Sequence, residues 1–189
     1  MDMKKIKSPK TMFININPRP AWTKEKTMID FPLGICYVVS ETHRAGFDYD
    51  IFDLRVDPKT DEELVELAKS GQYDVVAMGY MSHGYYLIKN LCEKMKQALP
   101  NSKVIVGGTV ATPMPEKFLN WTKADVAVIG EGEYTFVEIL QRLKTTDDLS
   151  GILGIVYKGE NGEILVEKDR LIKDEIENSL RKLRTGNLY

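Results

Sequence analysis

Cysteine and histidine are scarce in this chain of 189 residues: Cys36, Cys92, His43 and His83 are all there are. No C-x-x-C pair and no Cys/His run with metal-ligand spacing can be drawn from them. Both cysteines fall within apolar helical patterns and read as small core residues, and such sparse thiols fit a reducing cytoplasm. No apolar run approaches the ~20 residues of a membrane span, and no signal-peptide pattern opens the chain. An excess of either charge is missing too. A net charge of −2 gives no electrostatic case for nucleic acid, which needs a basic patch. The run Lys4, Lys5, Lys7 and Lys10 is short enough to be a solvated tail. Repeats and low-complexity segments are absent. The expectation is a cytoplasmic chain that binds neither nucleic acid nor membrane.

What the chain has is a series of short β-branched runs, two of which stop abruptly in glycine. Val104-Ile-Val-Gly-Gly-Thr109 and Val126-Ala-Val-Ile-Gly-Glu-Gly-Glu133 look like buried parallel strands arriving at the edge of their sheet. Glycine there lets a ligand approach the backbone without meeting a Cβ. Earlier strands are expected at Thr11–Ile16, Tyr49–Asp53 and Asp74–Gly79. Helices are expected from Pro32 to Ala45, stopped by Gly46, and from Asp61 to Gly71, with acidic residues in the first turn. Another carries Leu87, Ile88, Leu91, Cys92, Met95, Ala98 and Leu99 on one face and ends at Pro100. A short helix is expected over Pro113–Trp121. The last of the series runs over Tyr134–Leu143, with Phe136, Ile139, Leu140 and Leu143 inward.

Strands alternating with helices predict an α/β fold, a flavodoxin-like doubly wound five-stranded parallel sheet with a ligand crevice at the carboxyl ends of its strands. The pattern then changes. Ile155–Tyr157 and Ile164–Val166 flank Asn161-Gly162, a hairpin signal, and Ile172, Ile176, Leu180 and Leu183 mark a final amphipathic helix. The expected division is a Rossmann-like ligand-binding domain over residues 1–150 and a hairpin with a linker helix over 151–189.

Gly130-Glu-Gly-Glu-Tyr-Thr135 begins like a dinucleotide fingerprint but has threonine at its third position and follows the fifth strand instead of the first. With no P-loop spacing either, nicotinamide and nucleoside-triphosphate readings fall away. The glycines can still serve a phosphate that is part of something larger, bound by backbone N–H groups at a helix start; a plain tight turn is the bland alternative. His83, in Tyr80-Met-Ser-His-Gly84, is placed just past the third strand and faces the crevice, where an imidazole can coordinate a metal or donate a hydrogen bond. His43 reads as a surface residue. Glu131 and Glu133 sit near the same edge, more in keeping with a helix cap or a ribose hydroxyl than with acid–base chemistry.

Several segments taken in order give a resemblance. Phe31-Pro-Leu-Gly-Ile-Cys-Tyr37 opens the first helix and Arg44-Ala-Gly46 ends it before Asp50-Ile-Phe-Asp53. Tyr73-Asp-Val-Val-Ala-Met-Gly79 precedes the loop with Ser82. Val104–Thr109 continues into Ala111-Thr112, and Val128–Glu133 is followed, past a helix, by Gly151-Ile-Leu-Gly-Ile-Val-Tyr157. Together, over roughly residues 12–168, the chain resembles the N-terminal cobalamin-binding domain of B12-dependent radical SAM enzymes. The resemblance implies a corrin lying over the carboxyl edge, with its nucleotide tail reaching the loops after strands four and five. It implies contacts from Met81, Ser82, His83 and Gly84, from Gly107, Gly108 and Thr109, and from Gly130, Glu131, Gly132 and Glu133. In that family cobalt takes a methyl group from S-adenosylmethionine and passes it on, while a second domain, a radical SAM barrel with an iron–sulfur cluster, does the radical chemistry.

Two departures qualify it. The D-x-H-x-x-G motif of methionine-synthase-like domains is absent: the loop after the first strand reads Asn15-Ile-Asn-Pro18 and offers no histidine, which leaves His83 as the nitrogen candidate near cobalt. The C-x-x-x-C-x-x-C cluster motif is missing, and Cys36 and Cys92 cannot replace it. The resemblance therefore implies a cobalamin module, not catalytic alone, whose barrel is supplied in cis beyond an excised piece or in trans by a partner. S-adenosylmethionine and the iron–sulfur cluster belong to that missing domain. Two other functions remain open from residues alone: a flavodoxin-like regulatory or interaction domain that has lost its cofactor, and a flavin or other cofactor binder on the same sheet edge.

Overall fold

The computed structural model describes residues 8–16 and 32–167. Five strands run parallel: β1 (Thr11–Asn15), β2 (Tyr49–Asp53), β3 (Val75–Gly79), β4 (Lys103–Gly107) and β5 (Val126–Val128). They lie in the order β2-β1-β3-β4-β5, so the winding reverses between β1 and β3, as in a flavodoxin-like sheet. Five helices connect them and close the unit: α1 (Leu33–Arg44), α2 (Asp61–Gly71), α3 (Tyr85–Ala98), α4 (Pro115–Trp121) and α5 (Glu133–Leu143). The predicted hairpin is present as β6 (Ile155–Lys158) and β7 (Ile164–Val166). It corrects the expected strand count. β6 pairs antiparallel with β5, in register Val126 to Tyr157 and Val128 to Ile155, so the hairpin extends one sheet to seven strands. Ile155, Val156 and Tyr157 are buried because they pack into the cores on the two faces of the sheet, and the pairing of β6 covers what would otherwise be the open edge of β5. The hairpin loop spans residues 159–163, longer than a two-residue turn, with Asn161-Gly162 inside it. The predicted final helix, Ile172 to Leu183, lies outside the described residues.

The alternation of side chains along each strand decides which helix goes where. Met12, Ile14, Val76, Met78, Val104, Val106 and Ala127 face one side, with Leu64 and Ala68 of α2, the buried row of α3, and Phe118 and Leu119 of α4. Phe13, Val75, Ala77, Ile105, Val126 and Val128 face the other, with Val39 of α1 and Phe136, Ile139 and Leu140 of α5. A sheet buried on both faces is why its central strands read as unbroken apolar runs.

Local chemistry adjusts several boundaries. Pro115 occupies the first turn of α4 and Met114 caps it at φ −145°. The residue before a proline is pushed out of the helical region, so α4 starts two residues later than expected. Thr60 and Glu63 form a reciprocal capping box at the start of α2, with Glu63 N–H donating to Thr60 Oγ1 at 3.2 Å and Thr60 N–H to Glu63 Oε2 at 2.7 Å. Gly71 is the last residue of that helix, but the left-handed residue after it is Gln72. Gly71 is small for another reason: a Cβ there would run into the Tyr73 ring. In α3 the buried row is Ile88, Leu91, Cys92 and Met95. Leu87, expected on that face, is 41% exposed, because it stands one step of about 100° off the row. Ala98, Leu99 and Leu143 are half-buried. Cys92 is fully enclosed, and burial pushes its thiol up to about 12. Cys36, by contrast, is half-buried on α1 and is not a core residue.

Candidate functional site

In a parallel sheet every strand delivers its following loop to one edge, and here three neighbouring strands deliver short ones that turn at or beside glycine. After β3 the chain passes through Tyr80 and Met81 into a single 3₁₀ turn at Ser82–Gly84, closed by Gly84 N–H donating to Met81 O at 2.9 Å. After β4 it turns at Gly108. After β5 it turns at Gly130 and enters α5 at Gly132. The structure thus brings the expected residues Met81, Ser82, His83, Gly107, Gly108, Thr109 and Gly130 to Glu133 to one edge. Met81, Ser82, His83, Gly108, Thr109, Gly130 and Glu131 are exposed there, whereas Gly84 is buried.

The loops are tied to each other. Ser82 Oγ donates to Thr109 O at 2.8 Å, joining the turn after β3 to the loop after β4. Val110 N–H donates to Tyr80 O at 3.0 Å across the same gap. Thr112 Oγ1 donates to Gly108 O at 3.0 Å and accepts from Gly130 N–H at 3.4 Å, a longer bond that reaches the loop after β5. The Ser82 proton is therefore engaged within the protein, and its lone pairs remain to accept from a ligand.

The glycines divide into two kinds. Gly108 has φ +80°, and a Cβ on it would stand 2.8 Å from Tyr80 O. Glycine is required there by the fold itself, so its identity has an internal cause besides any bulky ligand. Gly107 is different: its Cβ would meet nothing closer than Val128 Cβ at 3.9 Å. Gly130, at φ +68°, has open space around the missing Cβ. Gly107 and Gly130 are thus the positions where bare backbone faces room for a ligand. The first turn of α5 adds donors. Its cap, Gly132, makes no side-chain cap bond, and the leading N–H groups of a helix are suited to a phosphate. Thr135, the threonine that broke the fingerprint, is fully buried and donates to Leu153 O at 3.3 Å, so it pins α5 to the segment before β6. Glu131 and Glu133, with Tyr37, Glu41 and Tyr134, line a hollow of about 270 Å³ between α1 and the start of α5.

His83 is exposed, and its ring stands edge to face with Tyr80 at a centroid separation of 5.1 Å. His43 is on the surface of α1, 3.4 Å from Tyr49 OH, as expected. Among the described residues no group of three or more His, Cys, Asp or Glu side chains could hold a metal ion. Two participants escaped the sequence reading. Thr112 stands in the Ala111-Thr112 motif, but nothing in the sequence marks it as the bridge between loops. Tyr80 carries no sequence signal at all, because its role depends on contacts with Gly84 and Gly108.

A doubly wound α/β domain with an open, glycine-lined carboxyl edge beside its topological switch point defines a cofactor-binding module of the Rossmann-like class. Residues 29–140 match the B12 binding domain, and the chain belongs to that family, whose cofactor is cobalamin. It is 31% identical over 140 residues to an uncharacterized methyltransferase of Pyrococcus horikoshii, covering 74% of this chain and 30% of that protein. It is 25% identical over 146 residues to the anaerobic magnesium-protoporphyrin IX monomethyl ester cyclase of Synechocystis, covering 76% and 29%. Among solved structures, the cobalamin-dependent S-adenosylmethionine radical enzyme OxsB, with aqua-cobalamin and S-adenosylmethionine bound, superposes with a TM-score of 0.73 at 18% identity, over 88% of this chain and 23% of that one. The radical S-adenosylmethionine methyltransferase TsrM of Kitasatospora setae gives 0.70 at 16%, over 85% and 30%. These two likenesses establish the fold. The chain spans less than a third of the length of these relatives. No helix among the described residues is long and apolar enough to cross a membrane.

Proposed function

We propose that this chain is the cobalamin-holding module of a B12-dependent radical SAM enzyme of methyltransferase type. The observation that carries the reading is the open backbone at Gly107 and Gly130 beside the start of α5, in a chain of the B12 binding family. The residues present fit the cofactor. Gly107, Gly108, Thr109 and Gly130 to Glu133 would hold the nucleotide tail: bare backbone admits its bulk, the N–H groups opening α5 meet its phosphate, and Glu131 or Glu133 accepts from a ribose hydroxyl. Met81, Ser82 and His83 would face the corrin, with Ser82 accepting from a side amide and His83 offering a nitrogen to cobalt, while Gly84, buried against the Tyr80 ring, shapes the turn. When bound, the cofactor supplies a cobalt centre that carries a methyl group.

The radical chemistry belongs to a barrel domain that holds S-adenosylmethionine and an iron–sulfur cluster, joined in cis or recruited in trans. Two features support that partner. The two cysteines cannot make a three-cysteine cluster site. Glu167, just past β7, lies on the same carboxyl edge of the sheet as the proposed site, its N–H donating to Ile155 O and its Oε1 accepting from Gly151 N–H. The relatives' greater length agrees with it.

The test is a visible absorption titration of the purified chain with hydroxocobalamin, followed by desalting. Retained colour with a spectral shift supports the module. Loss of all colour, with no saturable shift at high concentration, favours a domain that has lost its cofactor. A His83→Ala variant with an unchanged bound spectrum removes His83 from the cobalt side.

A further inference from the structure

Tyr80 is seated by glycines on two different loops. Its ring lies across the 3₁₀ turn, where a Cβ on Gly84 would collide with Cδ1. Its backbone lies against the loop after β4, where a Cβ on Gly108 would come within 2.8 Å of the Tyr80 carbonyl oxygen and 3.2 Å of its nitrogen. That same carbonyl accepts the Val110 N–H at 3.0 Å. The ring then stands at 80° to the His83 imidazole with centroids 5.1 Å apart. His83 is otherwise exposed. An exposed side chain without a neighbour samples its rotamers freely, and an aromatic ring at this distance and angle favours one of them.

We propose that Tyr80 is a positioning residue. Its ring, seated across the 3₁₀ turn, fixes the direction of the His83 imidazole at the carboxyl edge, while its backbone, as any residue there would, ties that turn to the loop after β4, so that the edge is set before a ligand arrives. Its consequence for cobalamin rests on the function proposed above; its effect on His83 does not. Pre-setting a loop and a side chain strengthens binding by removing the cost of ordering them.

The decisive experiment records the ring proton signals of both histidines by NMR in the ligand-free full chain, and then titrates hydroxocobalamin. Tyr80→Phe keeps the ring and is expected to leave the His83 signals and the affinity as in the unaltered protein. Tyr80→Leu is expected to move the His83 signals to those of a free exposed histidine and to weaken cobalamin roughly tenfold. The His43 signals, beside Tyr49 at 6.2 Å, stay fixed as the internal standard. Gly84→Ala displaces the ring without removing it and should reproduce the Tyr80→Leu shifts, which covers the case in which the leucine variant fails to fold. Unmoved His83 signals in both variants, or a phenylalanine variant as impaired as the leucine one, would overturn the proposal. If the unaltered protein binds no cobalamin, the proposed function falls, and the His83 signals still decide whether Tyr80 directs that ring.

Discussion

At the amino-terminal edge of the sheet, Asp125 Oδ2 accepts from Val104 N–H at 2.7 Å and pairs with Lys96 Nζ at 3.0 Å. Lys96 also donates to the carbonyls of Pro100 and Ser102, Ser102 Oγ donates to Tyr73 O, and Lys158 donates to Thr122 O. Nearby, Tyr73 OH donates to Asp50 Oδ2 at 2.6 Å, and Lys10 Nζ stands 2.8 Å from the same carboxylate. At the carboxyl edge, Asn15 Nδ2 donates to Asp53 Oδ1 at 2.9 Å across the ends of β1 and β2, whereas in the loops after β3 and β4 Ser82 and Thr112 bond to backbone and glycines take the place of side chains. Two edges of one sheet thus use polar groups in opposite ways. The first satisfies charges internally and locks strand starts to helix ends. The second, in the loops after β3, β4 and β5, leaves backbone and exposed side chains facing solvent. Stability and binding should therefore respond to mutation at opposite ends of the molecule.

Asp125→Ala is the strongest test of the stabilising edge. It strands the buried Val104 N–H and leaves the Lys96 ammonium with carbonyl partners but no counter-charge, and should lower unfolding stability by about 2 kcal/mol, read in urea, while the folded fraction binds hydroxocobalamin as before. Weakened binding in the folded fraction would break the comparison. Gly107→Leu tests the other edge. Its Cβ fits the fold, so stability should stay within about 1 kcal/mol, whereas cobalamin affinity should drop at least roughly tenfold. An unaffected affinity would move the ligand away from β4. Thr112→Val sharpens the contrast between them, because Thr112 belongs to the carboxyl edge yet bonds within the protein. A loss of about 1 kcal/mol with about threefold weaker cobalamin binding is expected, measured by denaturation and titration of the same sample.

The smallest effect is electrostatic. The hydrogen bonds from Lys10 and then Tyr73 hold the Asp50 carboxyl below its ordinary value. A carboxylate whose pKa is lowered on folding binds its proton less tightly in the native state. Its contribution is present above the unfolded pKa and disappears as pH falls through the folded one. Asp50→Asn should flatten the acid side of the stability profile and cost well under about 1 kcal/mol at neutral pH, since the pair is half exposed. A variant profile as steep as that of the unaltered protein would put the acid sensitivity elsewhere.

The strands and helices of the doubly wound core were legible because burial on both faces writes itself as unbroken apolar runs, and helices as rows at i, i+3, i+4. The hairpin was legible too, but not its docking on β5, since pairing partners leave no local trace. Strand β5 is shorter than its apolar run suggests because Ile129 already belongs to the turn: its N–H donates to Gly154 O. The glycines were read as places for a ligand. Gly107 and Gly130 have that room, but Gly108 and Gly84 are occupied by Tyr80, which a residue-by-residue reading cannot anticipate.

By itself, the sequence determined the α/β class, the order of elements, the edge on which the glycine-ended strands open and the family whose motifs they follow. These are set by side-chain periodicity and by backbone preferences within a few residues. Only the tertiary structure decided that the sheet continues into the hairpin, that Thr112 and Ser82 tie three loops together, and that Tyr80 sits between two glycines against His83. Those facts rest on contacts between residues as many as 31 positions apart, from Val126 to Tyr157, and distance along the chain says nothing of such contacts until the strands have paired.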